Sequence, residues 1–186
     1  MEDYFSNTDL EPASRYILSN YLGSVLSTQK YLTEMTDTFR RSDEPIVLVV
    51  FGDHKPWLGN GNSVYNDLGI DLSQNSRESF YNYWSTRYLI WANDAAKKAL
   101  GTDLAGTGPD ISPCFLMNVL FEQLGWTGDA YMQAVDQCLE ALPVIHNGGM
   151  YLTADSRLVR ELSDEQAEWV RRFQSLGYYR VHHFAG

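Results

Sequence analysis

The chain has 186 residues, of which 44% are hydrophobic and 13% aromatic, a composition that excludes a disordered chain and can bury a core. Lys and Arg number 14 against 24 Asp and Glu, a net charge of −10, and no basic run is present to neutralise the phosphates of a nucleic acid. The two cysteines, Cys114 and Cys138, are too few for a disulfide framework and match no zinc-ligand spacing, so we expect both to be buried.

The first half of the chain predicts a long helix followed by a buried strand. Apolar residues recur at three- and four-residue steps over 14–41, which is the pattern of an amphipathic helix. Residues 46–51, IVLVVF, are apolar on both faces and rich in β-branched side chains, as in a covered strand of a parallel sheet. Residues 55–79 are polar and rich in Gly and Asn, so we expect a long loop, and loops of this length tend to be functional.

A second strand and two further helices are predicted in the middle of the chain. YLIWAN, residues 88–93, is typical of a buried strand, and DAAKKAL after it of a short helix. Ser112 and Pro113 mark the start of another helix and Gly125 its end. A helix over 128–142 follows from the apolar residues that share one of its faces.

The last part of the chain predicts a hairpin and a capped helix. VIHNGGMYL, residues 144–152, places two β-prone stretches around an Asn-Gly-Gly turn. Ser163 and Gln166 have the spacing of a capping box at the start of the final helix. No repeat or linker interrupts the chain, so we expect a single α/β domain over residues 1–186. Its predicted architecture is a mostly parallel central sheet flanked by helices, with a small hairpin.

Asp53 and His54 come directly after the first strand, where ligands bind in an open α/β sheet. A carboxylate oxygen and an imidazole nitrogen together suit a divalent ion such as Mn²⁺ or Zn²⁺. A hydrolytic metal needs at least one more protein ligand, so two residues do not complete a site. The structural alternative stays open: Asp53 caps the following turn and His54 lies at the surface.

Other residues near this strand end are weaker candidates. Lys55 is a candidate phosphate contact or a solvated loop lysine, and Trp57 lines a substrate groove or forms a hydrophobic plug with Leu58. Asn93 and Asp94 would face the same end of the sheet if the two strands are parallel, with Asp94 as a helix N-cap. The remaining histidines are expected to be ordinary surface residues: His146, His182 and His183.

VVFGDHKPWLG, residues 49–59, resembles the Gly-Asp-His segment of the alkaline phosphatase superfamily. The likeness is greater to its sulfatase-like branch, which contains lipoteichoic acid synthases and phosphoglycerol transferases. Three other segments resemble family segments in the same order along the chain, NYLGSVLSTQKYL (20–32), STRYLIWAN (85–93) and ISPCFLMNVLFEQLGW (111–126). The resemblance covers residues 14–126 well and the rest of the chain loosely.

This resemblance implies that Asp53 and His54 bind a catalytic divalent metal. Lys55 and Trp57, which follow them in the chain, are the predicted substrate contacts. Mn²⁺ is the first candidate, with Zn²⁺, Mg²⁺ and Ca²⁺ as alternatives. The family's nucleophile is a Thr, a Ser or a modified Cys that lies well upstream of Gly-Asp-His, and so does its remaining metal ligand, an acidic residue. Only 52 residues precede Asp53 here, so the chain is expected to be the C-terminal portion of such an enzyme. It would contribute no nucleophile and be catalytically silent by itself.

The implied parent is a phosphoglycerol transferase or sulfatase-like hydrolase that acts on cell-envelope polymers. Its partners would be lipids or glycans that bear phosphoglycerol or sulfo-ester groups, and its catalytic domain would lie outside the cell membrane. In this chain no apolar run reaches the roughly 18–20 residues that cross a bilayer, so we expect it to be soluble. Loss of the upstream part would expose apolar sheet surface, through which a homodimer could form.

Two other functions remain as alternatives. The chain could be a non-catalytic α/β binding module in which the Asp-His pair is structural. It could also be a small hydrolase that uses His54 and Asp53 with a serine. The hydrolase is disfavoured because the sequence has no Gly-x-Ser-x-Gly nucleophile context.

Overall fold

The computed structural model describes residues 4–183, which fall into two compact units. The first unit runs to Asp103 and the second begins at Leu104. Each contains helices and one small antiparallel sheet, so the chain is a mixed α/β protein, as the sequence predicts at that level. The expectation of a single domain over 1–186 stays a prediction.

The first unit opens with the predicted long helix, α1, at Pro12–Arg40. Proline suits its first position because that residue needs no N–H donor for an intrahelical hydrogen bond. Leu18 of α1 is buried against three residues of the segment that follows the first strand, Leu58, Val64 and Tyr65. Contacts of this kind, rather than helix propensity alone, stabilise a helix in a protein.

The two predicted strands pair, but in the opposite sense to the expectation. β1, Val47–Phe51, and β2, Tyr88–Ala92, are antiparallel, with Val47 opposite Ala92 and Phe51 opposite Tyr88. The prediction of a mostly parallel central sheet is therefore wrong for the part of the chain that the structure describes, where both sheets are antiparallel. A run of β-branched residues indicates that a strand is buried on both faces. Whether it pairs parallel or antiparallel with its neighbour depends on the path of the segment that connects the two strands.

The predicted 55–79 loop contains more structure than its composition indicates. A short 3₁₀ turn at Asn60–Asn62 leads into helix α2, Ser63–Asp67, and helix α3 occupies Arg77–Trp84. Ser76 caps α3 by accepting a hydrogen bond from the Ser79 N–H. The sequence did not indicate α2 or its buried residues, Val64 and Tyr65, because a helix this short has no detectable apolar period.

Helix α4, Asp94–Leu100, is the last element of the first unit, and three α-helices follow in the described part of the second. These are α5 at Leu116–Gln123, α6 at Ala130–Ala141 and α7 at Asp164–His183. The predicted capping box of α7 is confirmed, since Ser163 N–H donates to Gln166 Oε1 at 3.0 Å and Gln166 N–H to Ser163 Oγ at 3.3 Å. Ser112 and Pro113 do start a helical segment, a 3₁₀ helix at Pro113–Phe115 that leads into α5. The Ser112 side chain does not cap it, because its Oγ exchanges hydrogen bonds with the backbone of Ile145.

The predicted hairpin is also confirmed. β3, Val144–His146, pairs antiparallel with β4, Met150–Leu152, and a short strand β5, Leu158–Val159, adds a third member that the sequence did not indicate. Phe115, Val135 and Cys138 form the buried core of this unit. Cys138 is buried as expected, whereas Cys114 is exposed. Among residues 4–183, no helix has the length and apolar character that a membrane crossing requires.

Candidate functional site

The two residues just before β2 hold the backbone at the point where the chain leaves β1 and enters the candidate site. Gly52 N–H donates to the Arg87 carbonyl oxygen at 3.0 Å, and Thr86 Oγ1 donates to the Gly52 carbonyl oxygen at 2.7 Å. A Cβ atom on Gly52 would stand 3.1 Å from Cβ of Thr86, closer than an ordinary van der Waals contact. Glycine therefore lets the two strands stay close at the point where the chain turns towards Asp53.

Asp53 and His54 converge after this turn. His54 N–H donates to Asp53 Oδ1 at 2.8 Å, and Asp53 Oδ2 lies 3.4 Å from His54 Nε2. His54 Nδ1 lies 2.9 Å from the Lys55 carbonyl oxygen, which can only accept, so this hydrogen bond requires a proton on Nδ1. In the neutral ring, Nε2 then presents a lone pair towards the carboxylate. This lone pair and the negatively charged Asp53 Oδ2 repel each other unless a proton or a metal cation lies between them.

The donor set fits a divalent cation. Two atoms that each lie about 2.1 Å from one ion and subtend a tetrahedral angle are about 3.4 Å apart, close to the observed separation of Oδ2 and Nε2. The Asp53 and His54 side chains are 80% and 77% exposed, so an ion reaches them without rearrangement. Within residues 4–183, no group of three or more His, Cys, Asp or Glu side chains could hold a metal. This pair therefore provides two ligands.

A cleft of about 260 Å³ adjoins the pair. Its lining brings together all four of the predicted site residues, Asp53, His54, Lys55 and Trp57. Leu58 is buried in the core while Trp57 is 68% exposed, so Trp57 does not plug the end of the sheet. Further lining residues, which the sequence did not single out, are Pro56, Asn62, Tyr65, Leu72, Asn82, Tyr83 and Trp84.

Lys55 gives the cleft a positive charge near the Asp-His pair. Partial burial lowers the pKa of Lys55, and the positive charge of Arg87 nearby acts in the same direction. Two neighbouring cations repel each other and attract an anionic group such as a phosphate or sulfate ester. Arg87 was not a candidate from the sequence, because only the antiparallel pairing of β2 with β1 brings it beside Gly52.

The aromatic wall of the cleft comes from the segment predicted to be a loop and from α3. Tyr65 donates its hydroxyl to the Pro56 carbonyl oxygen at 3.0 Å, and Trp84 Nε1 donates to Gln74 Oε1 at 2.7 Å. The one sequence signal that could have identified this wall is the aromatic density of SFYNYWS, residues 79–85.

Asn93 and Asp94 are not part of the site, because the antiparallel pairing sends the end of β2 to the start of β1. Asn93 N–H donates to the Ile46 carbonyl oxygen at 3.1 Å. The cap of α4 is Asn93 and not Asp94, since the Asn93 side chain accepts from Ala96 N–H.

The other histidines lie in the second unit. His146, expected at the surface, is half-buried; burial lowers its pKa, and its Nδ1 accepts the Gly148 N–H at 3.0 Å. His182 and His183 are exposed, as expected, and their rings pack on those of Tyr178 and Tyr179.

Comparison with known proteins gives one distant relationship. No protein-family model matches the chain, and no solved structure matches it. The chain is 25% identical over 170 residues to a protein of Rhizobium meliloti (strain 1021) named "Putative cyclic beta-1,2-glucan modification protein". The alignment covers 88% of this chain and 24% of the relative, so the chain spans about a quarter of the relative's length.

Proposed function

We propose that this chain is part of a metal-dependent, sulfatase-like enzyme that modifies cell-envelope glycans. It would transfer phosphoglycerol groups or hydrolyse phosphate or sulfate esters, with Asp53 and His54 as two of the metal ligands. The observation that carries the proposal is the His54 ring, which is bound at Nδ1 by the Lys55 carbonyl while Nε2 lies 3.4 Å from Asp53 Oδ2. The Gly-Asp-His resemblance and the name of the distant relative support it.

The residues in and near the cleft would have different roles in binding an anionic ester. A divalent ion, for which we propose Mn²⁺ before Zn²⁺, Mg²⁺ or Ca²⁺, would polarise the ester oxygen and acidify a nucleophilic hydroxyl. Asp53 supplies a carboxylate oxygen, and the Nδ1 hydrogen bond of His54 keeps Nε2 available as the second ligand. Lys55 lines the cleft and Arg87, outside its lining, lies near enough to act on Lys55 electrostatically, so both add positive charge that favours a phosphate or sulfate group there.

We place the nucleophile outside this chain. The five threonines that precede Asp53 all donate their hydroxyls to backbone carbonyls three or four residues earlier: Thr8, Thr28, Thr33, Thr36 and Thr38. A hydroxyl satisfied in this way is typical of a helix or turn residue and not of an activated nucleophile, which lies next to a base or a metal. The chain by itself is then expected to bind metal without turning over an ester.

Titration with Mn²⁺, followed by the electron paramagnetic resonance signal of the free ion, tests this proposal. We expect Asp53→Ala to weaken Mn²⁺ binding by more than about tenfold, because loss of a ligand costs more than loss of an outer partner. Asp43→Asn, at another exposed position of the same unit, is the matched control and should bind as the wild-type chain does. Equal affinity of the wild-type chain and Asp53→Ala, or no binding by the wild-type chain, would contradict the proposal.

A structural role for the pair is the second candidate, in a non-catalytic binding module. The hydrogen bond from His54 N–H to Asp53 Oδ1 favours it, because an Asp side chain that accepts a nearby backbone N–H stabilises a turn. In that case Asp53→Ala lowers the melting temperature and leaves Mn²⁺ affinity unchanged. The metal-site proposal predicts the reverse, since the Asp53 side chain is mostly exposed.

A further inference from the structure

The cleft beside Asp53 and His54 carries more exposed aromatic surface than a charged-ester site requires. Trp57, at 68% exposure, and Trp84, also exposed, both line this small space, together with the rings of Tyr65 and Tyr83. Single exposed aromatic residues are common on protein surfaces, but several that converge on one concave site indicate a ligand with apolar faces.

The rings of Tyr83 and Trp84 are held in place before any ligand binds. Their centroids are 4.7 Å apart at an interplanar angle of 55°, and the Trp84 indole N–H donates to Gln74 Oε1 at 2.7 Å. A ring that is already oriented loses little side-chain entropy when a ligand stacks on it, so these contacts favour binding.

Two amide side chains supply polar groups in the same cleft. Asn62 Oδ1 accepts the Leu58 N–H at 3.3 Å, and Asn82 Nδ2 donates to the Asp71 carbonyl oxygen at 3.2 Å. Each bond orients its amide group. Within residues 4–183, the amide nitrogen of Asn62 and the amide oxygen of Asn82 have no hydrogen-bond partner, so an NH₂ group that donates and a carbonyl oxygen that accepts are left for a ligand.

We propose that this cleft binds one hexopyranose ring of a glucan and presents a ring hydroxyl to the Asp53–His54 pair. A pyranose has C–H faces that pack on aromatic rings and a rim of hydroxyls that both donate and accept hydrogen bonds, which matches this lining. The volume of about 260 Å³ is below the roughly 300 Å³ at which pockets for drug-sized ligands begin, so it suits one ring and not a folded oligomer. The inference rests on the proposed function, and it names the sugar as the molecule that would accept the transferred group at that same site.

The stacking part of the site is tested with a β-1,2-linked glucose disaccharide. Titration is followed by tryptophan fluorescence in the presence of EDTA, so that no metal contributes. We expect saturable binding by the wild-type chain and at least about fivefold weaker binding by Trp57→Ala, from the energy of aromatic contacts. Trp57→Phe should recover part of the affinity. Trp126→Ala is the matched control, because Trp126 is 57% exposed and lies in the second unit.

The outcomes separate this inference from the metal-site proposal. Disaccharide binding without metal, weakened in Trp57→Ala and kept in Trp126→Ala, supports the sugar site whatever the Mn²⁺ titration shows. Absence of disaccharide binding by the wild-type chain overturns the sugar site while leaving the metal pair standing. Equal weakening by Trp57→Ala and Trp126→Ala also overturns it, because the sugar then binds exposed tryptophans without a specific cleft. A melting curve of Trp57→Ala that matches the wild-type curve excludes unfolding as the cause.

Discussion

At the scale of single residues, the candidate site depends on one glycine and one imidazole ring. Gly52, the first residue after β1, is hydrogen-bonded to both Thr86 and Arg87, and this positions the side chains of Asp53 and His54. The Lys55 carbonyl then selects the His54 tautomer that has its lone pair on Nε2. The geometry of the pair thus depends on backbone groups of Gly52, Lys55 and Arg87 and on one side-chain hydroxyl, that of Thr86.

Gly52→Ala should therefore destabilise the first unit. The added Cβ would stand 3.1 Å from Thr86 Cβ and disturb the Thr86 hydroxyl bond to the Gly52 carbonyl, which we expect to cost about 1–2 kcal/mol in the free energy of unfolding. Gly23→Ala, on α1 with no atom within 4 Å of the new Cβ, should stabilise by about 0.5–1 kcal/mol. Urea unfolding followed by circular dichroism measures both changes. Equal shifts in the two variants would show that Gly52 has no special contact.

At the scale of elements, Asn93 joins the ends of four segments of the first unit. Its Nδ2 donates to the carbonyls of Phe39 and Glu44, at 3.0 and 2.8 Å, and its Oδ1 accepts the N–H of Ile46 at 3.0 Å. The same oxygen caps α4 through Ala96 N–H at 2.9 Å. The Asn93 side chain is almost fully buried, so water cannot take over its hydrogen bonds to these backbone groups.

Replacement of Asn93 by alanine should leave several buried backbone groups without hydrogen bonds. We expect a loss of about 3 kcal/mol or more in the free energy of unfolding, because each unsatisfied buried group costs about 1–3 kcal/mol. Asn66→Ala, at an exposed position of α2, should change stability by less than about 0.5 kcal/mol. A fall in the urea midpoint for Asn66→Ala as large as that for Asn93→Ala would argue against this network.

The turn between β4 and β5 predicts a pH dependence. Asp155 accepts hydrogen bonds from Thr153 Oγ1 at 2.5 Å and Arg157 Nε at 2.7 Å, and these bonds lower the pKa of the Asp155 carboxyl group. A carboxyl whose pKa is lower in the folded chain contributes stability above its unfolded value of about 3.9. That contribution is lost as the pH falls through the lowered folded value.

The wild-type chain should accordingly be more stable than Asp155→Asn at pH 7, and the difference should disappear in acid below the lowered pKa. Urea unfolding over a pH series measures it. Asp110→Asn, also exposed and in the second unit, is the control and should show no such pH-dependent difference. A difference between the wild-type chain and Asp155→Asn that persists unchanged at the most acidic pH would refute this assignment.

At the scale of the whole molecule, the β1–β2 sheet has two open edges and exposed apolar side chains. Each strand pairs only with the other within residues 4–183, and Phe51 and Leu89 are exposed. Open edges and apolar patches favour association with another chain or segment. The expected homodimer through this sheet stays a prediction.

Leu89→Lys should reduce self-association, because a lysine on a strand at the edge of a sheet opposes pairing and removes apolar area. Analytical ultracentrifugation over a concentration series is the measurement. We expect the wild-type chain to associate with rising concentration and Leu89→Lys to remain monomeric. Met117→Lys, at an exposed position on α5, should behave as the wild-type chain does. A wild-type chain that sediments as a monomer at every concentration would exclude the dimer.

The sequence by itself determined the local features of this protein. The periodicity of α1, the NGG turn of the β3–β4 hairpin and the Ser163–Gln166 capping box are signals carried by neighbouring residues, and all three are confirmed. Asp53 and His54 are also neighbours in the Gly-Asp-His segment, and their side chains converge; their role as metal ligands stays a prediction. Such features depend on contacts within a few positions along the chain.

Only the tertiary structure decided the direction of the strands and the composition of the cleft. An apolar strand pattern is the same for parallel and antiparallel neighbours, so nothing local placed Arg87 beside Gly52 or sent Asn93 to the opposite end of the sheet. Tyr83 and Trp84 line the cleft because α3, which begins at the end of the predicted 55–79 loop, continues to Trp84 beside it. Residues far apart in the chain meet through packing, and packing depends on the whole fold and not on any one stretch of sequence.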